Sequence, residues 1–163
     1  MISAVDLLKG IAVGSGMEVI QVEGATGSLD TNYAGKASAA VEALLERGND
    51  FVYVHIEAPD EMGHQGSAEN KVRAIEQIDK YIVAQICSQL DAKQIDHRVL
   101  ILPDHPTPIR CRTHTGDAVP YLLYDSTCPG SNTAAFSEKG AASTGLYMAN
   151  GTQLMGAFIQ KEI

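Results

Sequence analysis

Two short apolar runs, Phe51-Val-Tyr-Val-His-Ile56 and Val99-Leu-Ile-Leu102, carry almost no alternation of polar and apolar residues. A strand wet on one face alternates, whereas one buried on both faces does not, and such strands belong to parallel sheets covered by helices. The stretches around them carry helical spacing. Ser67 to about Leu90 is the longest, with Val72, Ile75, Ile78, Ile82 and Ile86 on one stripe. Ser67 with Asn70 makes a partial capping box there. Ala34 to about Arg47 reads as a helix closed by Gly48, and Ser3 to about Gly16 as one with Ser3 at its N-cap. Glu18–Val22 is strand-like, as is Val119–Tyr124, which Pro120 places at an edge or makes begin at Val119. Asp125–Gly130 reads as a loop, Phe136–Lys139 as a short helical or turn element, and Gly151–Ile159 as a terminal helix bearing Leu154, Met155 and Phe158. Strands alternating with helices predict an α/β fold with a mostly parallel sheet. No repeat, charge block or linker divides residues 1–163, which read as one domain.

Both strands end in the same chemistry. The first runs into Ala58-Pro-Asp60-Glu-Met-Gly-His64, the second into Pro103-Asp104-His105-Pro-Thr-Pro108, and His114 follows. Carboxylate and imidazole are ligands for divalent first-row metals. The carboxyl ends of neighbouring strands are where α/β sheets build their sites. Asp60 and His64 are four residues apart, which suits one helical turn or a tight loop; Pro59 pre-sets the backbone and Gly63 permits an unusual dihedral. Asp104 and His105 are adjacent, so their side chains are expected to diverge and to serve different ions or bracket one. Each motif alone also reads as a plain surface turn. Together they point to a metal centre, and to a two-ion one for which these ligands are too few. His55 reads as a satisfied imidazole in its strand and His97 as a solvated one. Glu57 and Glu61 either orient the imidazoles or are simply solvated.

Composition narrows the alternatives. With 45% hydrophobic residues and no Trp, the core is soluble-protein-like and aliphatic. No apolar run approaches the ~20 residues of a membrane span, and no basic segment followed by an apolar one marks a secretory signal; a cytoplasmic location is expected. A net charge of −8 argues against a nucleic-acid partner, while bound cations would invert the sign of the site for a small anion. Cys87, Cys111 and Cys128 form no CxxC pair and read as reduced thiols. Cys111 lies near the candidate ligands and reads as a small, partly buried side chain.

The motifs carry a resemblance. Ile2-Ser-Ala-Val-Asp-Leu-Leu-Lys-Gly-Ile11, Gly24-Ala-Thr-Gly27, and Asp30-Thr-Asn-Tyr33 with Gly35-Lys36 are similar to cofactor-independent phosphoglycerate mutases of the archaeal type. So are Glu57–His64, Leu102–Pro108, and Arg112-Thr-His-Thr115 with Val119-Pro120. That family belongs to the alkaline phosphatase superfamily, and the likeness covers nearly the whole chain. It implies a three-layer fold, a mostly parallel sheet with helices on both faces, of which residues 1–163 are the carboxyl-terminal part. It also implies interconversion of 3-phosphoglycerate and 2-phosphoglycerate, a glycolytic step, through a phosphoserine intermediate with two divalent ions, manganese, magnesium or zinc.

Carried over, Asp60, His64 and His114 are ligands of one ion, and Asp104 and His105 are two ligands of the other. The family's remaining ligands, an early aspartate and the nucleophilic serine, match no residue here, and neither does its substrate-holding insert. No catalytic nucleophile is therefore assigned; Ser3 sits inside a matched motif and is read as a cap. Lys9 and Lys36 are candidate phosphate contacts. The chain alone is expected to be inactive, to hold one ion or none tightly, and to risk self-association through an exposed sheet edge. The alternatives are a phosphatase or phosphomutase for another metabolite, and a metal-binding fragment without catalysis.

Overall fold

The structure, a computed structural model, describes residues 1–128, 130 and 135–162. The chain divides into two compact units, Met1–Ile95 with Thr107–Thr115, and Asp96–Pro106 with Gly116–Ile163. The crossings fall in polar loops with no linker composition, which is why the sequence reads as undivided.

The first unit holds helices α1 (Asp6–Gly14), α2 (Tyr33–Leu45), α3 (Ala58–Gln65), α4 (Ala68–Ile78) and α5 (Ala84–Ala92). Asn32 caps α2, its Oδ1 accepting from the Gly35 amide at 2.8 Å. Ser67 caps α4, accepting from the Asn70 amide at 3.4 Å. Ser3 does not cap α1, whose N-cap is Val5. The long helix expected from Ser67 to Leu90 is interrupted by a π-helical turn, Asp79–Val83. A π turn inserts a residue and re-phases the face that follows. Ile82 is buried and Ile78 and Ile86 pack on the core, whereas Val72 and Ile75, expected on the same stripe, are 55% and 50% exposed. Ala74 is the residue that α4 buries completely.

The two extended stretches of this unit do not form a ladder. Met1-Ile2 runs between them: the Ile2 amide donates to the Tyr53 carbonyl at 2.8 Å, the His55 amide to the Ile2 carbonyl at 2.9 Å, and the Ile20 amide to the Met1 carbonyl at 2.9 Å. One isolated parallel bridge results, Ile2 with Val54. Phe51–Ile56 is half-buried rather than enclosed on both faces. The core is aliphatic, as a chain without Trp requires: Ile2, Ile20, Ala40 and Ala43 form one cluster, and Tyr33, Ala58, Ala74 and Ile82 another. Val54 and Ile86 pack against both.

In the second unit, β1 (Arg98–Ile101) pairs with β2 (Leu122–Asp125). The pairing is antiparallel, Arg98 opposite Asp125 and Ile101 opposite Leu122. Among the described residues this is the one regular ladder, so the expected mostly parallel sheet is not formed by them. Apolar continuity specifies extended, buried backbone; it does not specify the direction of the neighbour that satisfies its hydrogen bonds. Arg98 joins the strands to the last helix. Its Nε lies 3.1 Å from Asp125 Oδ2, its guanidinium sits 5.2 Å from the Phe158 ring centroid, and it donates to the Phe158 carbonyl. Helices α6 (Glu138–Ser143) and α7 (Leu154–Gln160) complete the unit, the latter entered through a 3₁₀ turn at Gly151–Gln153. Of the expected loop from Asp125 to Gly130, Asp125 ends β2 and Pro129 lies outside the described residues. No helix among the described residues is long and apolar enough to cross a membrane.

The first unit is tied together by a buried ion pair. The Lys36 side chain, on α2, is 0% exposed, and its Nζ donates to Glu57 Oε2 at 3.2 Å and to the His55 carbonyl at 3.1 Å. Glu57 Oε1 accepts from Ser3 Oγ at 3.1 Å and from the Ala4 and Val5 amides at 2.9 and 3.2 Å. Burial pushes the Glu57 carboxyl up, but the Lys36 charge and the amide donors outweigh it and leave the pKa below the ordinary glutamate value. A carboxylate with a lowered folded pKa stabilises the fold above its unfolded pKa and ceases to do so as pH falls through the folded one. Stability should therefore decline below the ordinary glutamate range, and Glu57→Gln should flatten that acid limb in melting curves recorded against pH. Lys36→Met leaves the carboxylate buried without its counter-charge, and should cost about 3–5 kcal/mol in urea unfolding. The double variant Lys36→Met/Glu57→Leu should recover part of that loss.

Candidate metal centre

Helix α3 is short, and each part of it has a local cause. Pro59 sits in the first turn, where no intrahelical N–H is required. Gly66 ends it at φ 74°, the left-handed position that favours glycine. Within it, Asp60 and His64 are separated by one turn and share a face, with His64 Nε2 3.3 Å from Asp60 Oδ2. His114 arrives from the loop that begins at Thr107. Its Nε2 lies 3.4 Å from Asp60 Oδ1 and 3.2 Å from His64 Nε2.

Those three separations test the fit of an ion. Ligand atoms held tetrahedrally at the usual zinc distances of ~2.0–2.1 Å are ~3.3–3.4 Å from one another. The separations among Asp60, His64 and His114 fall in that range, the two imidazoles facing different Asp60 oxygens, and these residues are the group among the described residues whose donor atoms lie close enough together to hold an ion. Electron-rich atoms at this range repel unless a cation or proton lies among them. The side chains are 33%, 36% and 52% exposed respectively, so a bound ion would keep a face open to solvent.

The proton on His64 is placed by its other nitrogen. Nδ1 lies 2.9 Å from the Arg112 carbonyl, which can only accept, so Nδ1 carries a hydrogen and Nε2 is the nitrogen turned toward Asp60 and His114. Arg112 itself has φ 52°, an uncommon value for a residue other than glycine. Its side chain crosses the end of α3 so closely that a Cβ at Gly66 would stand 2.5 Å from Arg112 Nε.

The other candidates have surroundings of their own. Asp104 and His105 belong to the second unit. They do not diverge as adjacent residues were expected to: His105 Nε2 folds back to 3.5 Å from Asp104 Oδ2, and the His105 amide donates to Asp104 Oδ1 at 3.1 Å. Lys9 pairs with Asp6 at 3.1 Å on the surface. Lys36, read from the sequence as a phosphate contact, is enclosed with Glu57 and has no exposed ammonium in this fold. Glu57 is accordingly neither solvated nor on an imidazole, while Glu61 is exposed. His55 is satisfied by the Tyr53 hydroxyl, 3.3 Å from its Nδ1. His97, expected in solvent, is half-buried against the Tyr124 ring.

One residue of the site was not singled out in the sequence. Thr107, 3% exposed, donates its hydroxyl to Asp60 Oδ1. Its position between Pro106 and Pro108, in a loop too stiff to be casual, was the available signal. The close approach of Arg112 to α3 yields a prediction. Gly66→Ala forces a side chain into the left-handed region and against Arg112, and should destabilise by about 1–2 kcal/mol in chemical unfolding.

Comparison with known proteins places this geometry in a family. The Metalloenzyme superfamily pattern matches residues 1–159. The chain is 49% identical, over 98% of its length, to the 2,3-bisphosphoglycerate-independent phosphoglycerate mutase of Methanosarcina barkeri, and covers 40% of that protein. It is 46% identical over 99% of its length to a probable enzyme of the same name from Geobacter sulfurreducens, again covering 40%. Among solved structures it resembles the PH0037 protein from Pyrococcus horikoshii, with a TM-score of 0.83 and 30% identity, over 98% of this chain and 47% of that one. The chain thus spans about 40% of the length of the curated relatives it matches. With the match running through both strand-end motifs and His114, the chain belongs to the metalloenzyme superfamily.

Proposed function

We propose that this chain is the metal-holding portion of a 2,3-bisphosphoglycerate-independent phosphoglycerate mutase, which interconverts 3-phosphoglycerate and 2-phosphoglycerate through a phosphoserine intermediate. The observation that carries the proposal is the convergence of Asp60, His64 and His114 at 3.2–3.4 Å, in a chain 49% identical to a relative of that name. On this reading the protein acts in the cytoplasm, in glycolysis, on a small phosphorylated metabolite. The triad holds one divalent ion, and Asp104 with His105 contributes to a second, with manganese, magnesium or zinc as the ions. The remaining ligands, the nucleophilic serine and the substrate-holding region belong to the rest of a polypeptide of the relatives' length. There, too, a three-layer fold with a mostly parallel sheet would be completed, giving the bridge between Ile2 and Val54 its neighbours.

Bound divalent ions would neutralise the transferring phosphoryl group and lower the pKa of a coordinated hydroxyl. The residues of this chain do the rest of the holding. Asp60 supplies the charge that fixes a cation at α3. His64, with its Nδ1 hydrogen donated to the Arg112 carbonyl, presents Nε2 toward Asp60 and His114. His114 closes the third side and leaves the solvent face for substrate oxygen. A chain of net charge −8 can in this way accept an anion at a locally positive point. A second reading, binding of metal without turnover, is favoured for the chain alone by its 40% coverage of the relatives.

Calorimetric titration of the 163-residue chain with zinc or manganese should show one tight site. Asp60→Ala and His64→Ala should abolish it, and Asp104→Ala should leave it unchanged. Two tight sites of equal affinity would contradict the assignment of Asp104 and His105 as an incomplete pair. In a polypeptide of the relatives' length, Asp60→Ala should lower 3-phosphoglycerate turnover at least about a hundredfold. Metal binding without turnover in that longer protein, with activity on another phosphorylated metabolite in a substrate panel, would reassign the substrate.

A further inference from the structure

We infer that Thr107, held in place by Lys71, is a positioning residue for the Asp60 carboxylate, fixing its plane so that one oxygen is left to coordinate. The inference rests on the metal-binding reading above and deepens it. Thr107 lies between two prolines, is 3% exposed, and donates its hydroxyl to Asp60 Oδ1. Its own carbonyl accepts from Lys71 Nζ at 2.7 Å. Lys71 is on α4, which follows α3 after only Gly66 and Ser67. The two helices of this hairpin therefore grip the same residue, α3 by its side chain and α4 by its main chain.

Gly63 makes the grip possible. It is not in the left-handed region, so conformational freedom is not its purpose. A Cβ there would stand 2.6 Å from the Thr107 carbonyl oxygen, 2.9 Å from Thr107 Cγ2 and 3.0 Å from Lys71 Nζ. The bare Cα, one residue before a ligand, is the clearance through which the 106–108 loop reaches Asp60. Lys71 and Thr107 are thus packed against the site by a vacancy of shape rather than by chance proximity.

The chemical consequence is specific. An unrestrained carboxylate rotates and can offer one oxygen or both to an ion. A hydroxyl donating to Oδ1 fixes the plane and withdraws charge from that oxygen. Oδ2, 3.3 Å from His64 Nε2, is then the better donor to an ion, while Oδ1, 3.4 Å from His114 Nε2, is engaged by the hydroxyl. Coordination through a single carboxylate oxygen keeps the number of protein ligand atoms at three and the remaining position open.

The test uses cobalt(II), whose visible absorption is intense in tetrahedral sites and weak at higher coordination number. Thr107→Val keeps the shape of the side chain and removes the hydroxyl. It should weaken cobalt binding by about tenfold to a hundredfold and lower the absorption of the bound ion, while the metal-free melting curve stays where it is. Thr107→Ser should restore both affinity and spectrum. Gly63→Ala, which inserts the better helix former, should reproduce the Val phenotype by displacing Thr107, with helix content retained. Wild-type affinity and spectrum in Thr107→Val, or failure of serine to restore them, would overturn the inference. If His64→Ala and His114→Ala also bind cobalt as the unaltered chain does, the metal centre itself is misassigned and the inference falls with it. If those two variants lose cobalt while Thr107→Val does not, only the positioning role falls.

Discussion

A lysine ammonium with no exposed surface needs a partner, and in this chain the partner is Glu57. Burying one charge alone would cost several kcal/mol, so the positions of Lys36 and Glu57 are not independent. Lys36 fixes α2, Glu57 precedes α3, and the second carboxylate oxygen gathers Ser3 and the amides of Ala4 and Val5 at the start of α1. Segments distant in sequence are thus brought to one carboxylate by hydrogen bonds. Asp60 follows Glu57 by less than one helical turn. Whatever holds Glu57 therefore sets where the first ligand begins.

From that anchor the site is built outward by supports of two kinds. Side chains provide some of them: the Thr107 hydroxyl on Asp60, and Lys71 on the loop that carries Thr107. Clearance provides the others, at Gly63 and Gly66, where α3 comes so close to Thr107 and Arg112 that a methyl group would collide. An eight-residue helix is too short to be stable by propensity. Its rigidity comes from being clasped on both flanks.

Much of this was legible in the residues. Asp60 and His64 stand out by donor chemistry and four-residue spacing, the resemblance adds His114, and the donor atoms of all three lie within 4.8 Å of one another. The helical stripe was legible only in part, because a π turn at Asp79–Val83 changes the phase of Ile82 and Ile86 relative to Val72 and Ile75. Periodicity assumes a constant pitch and cannot register the inserted residue. Strand direction was not legible either. Val99–Ile101 looks like a parallel strand because it is uniformly apolar, yet it pairs antiparallel with Leu122–Tyr124. The fate of Lys36 was hidden for a related reason: a lysine reads as a surface or ligand-binding group until the carboxylate that encloses it is known. The resemblance to phosphoglycerate mutases supplied what pattern could not, since it matched whole motifs rather than residue types.

The tautomer of His64 depends on a main-chain oxygen, the carbonyl of Arg112. A side-chain acceptor in that place could be lost by one nucleotide change; a carbonyl is present whatever residue occupies the position. Sequence drift at residue 112 can therefore alter the guanidinium and its contact with Gly66 while the proton on the imidazole stays where it is. The vulnerable property is the turn rather than the residue. A proline or an insertion that reorients the peptide plane would disarm the histidine, and among substitutions glycine, which adopts positive φ freely, should be the most readily tolerated. The orientation of the imidazole is in this sense set by backbone geometry rather than by any one side chain.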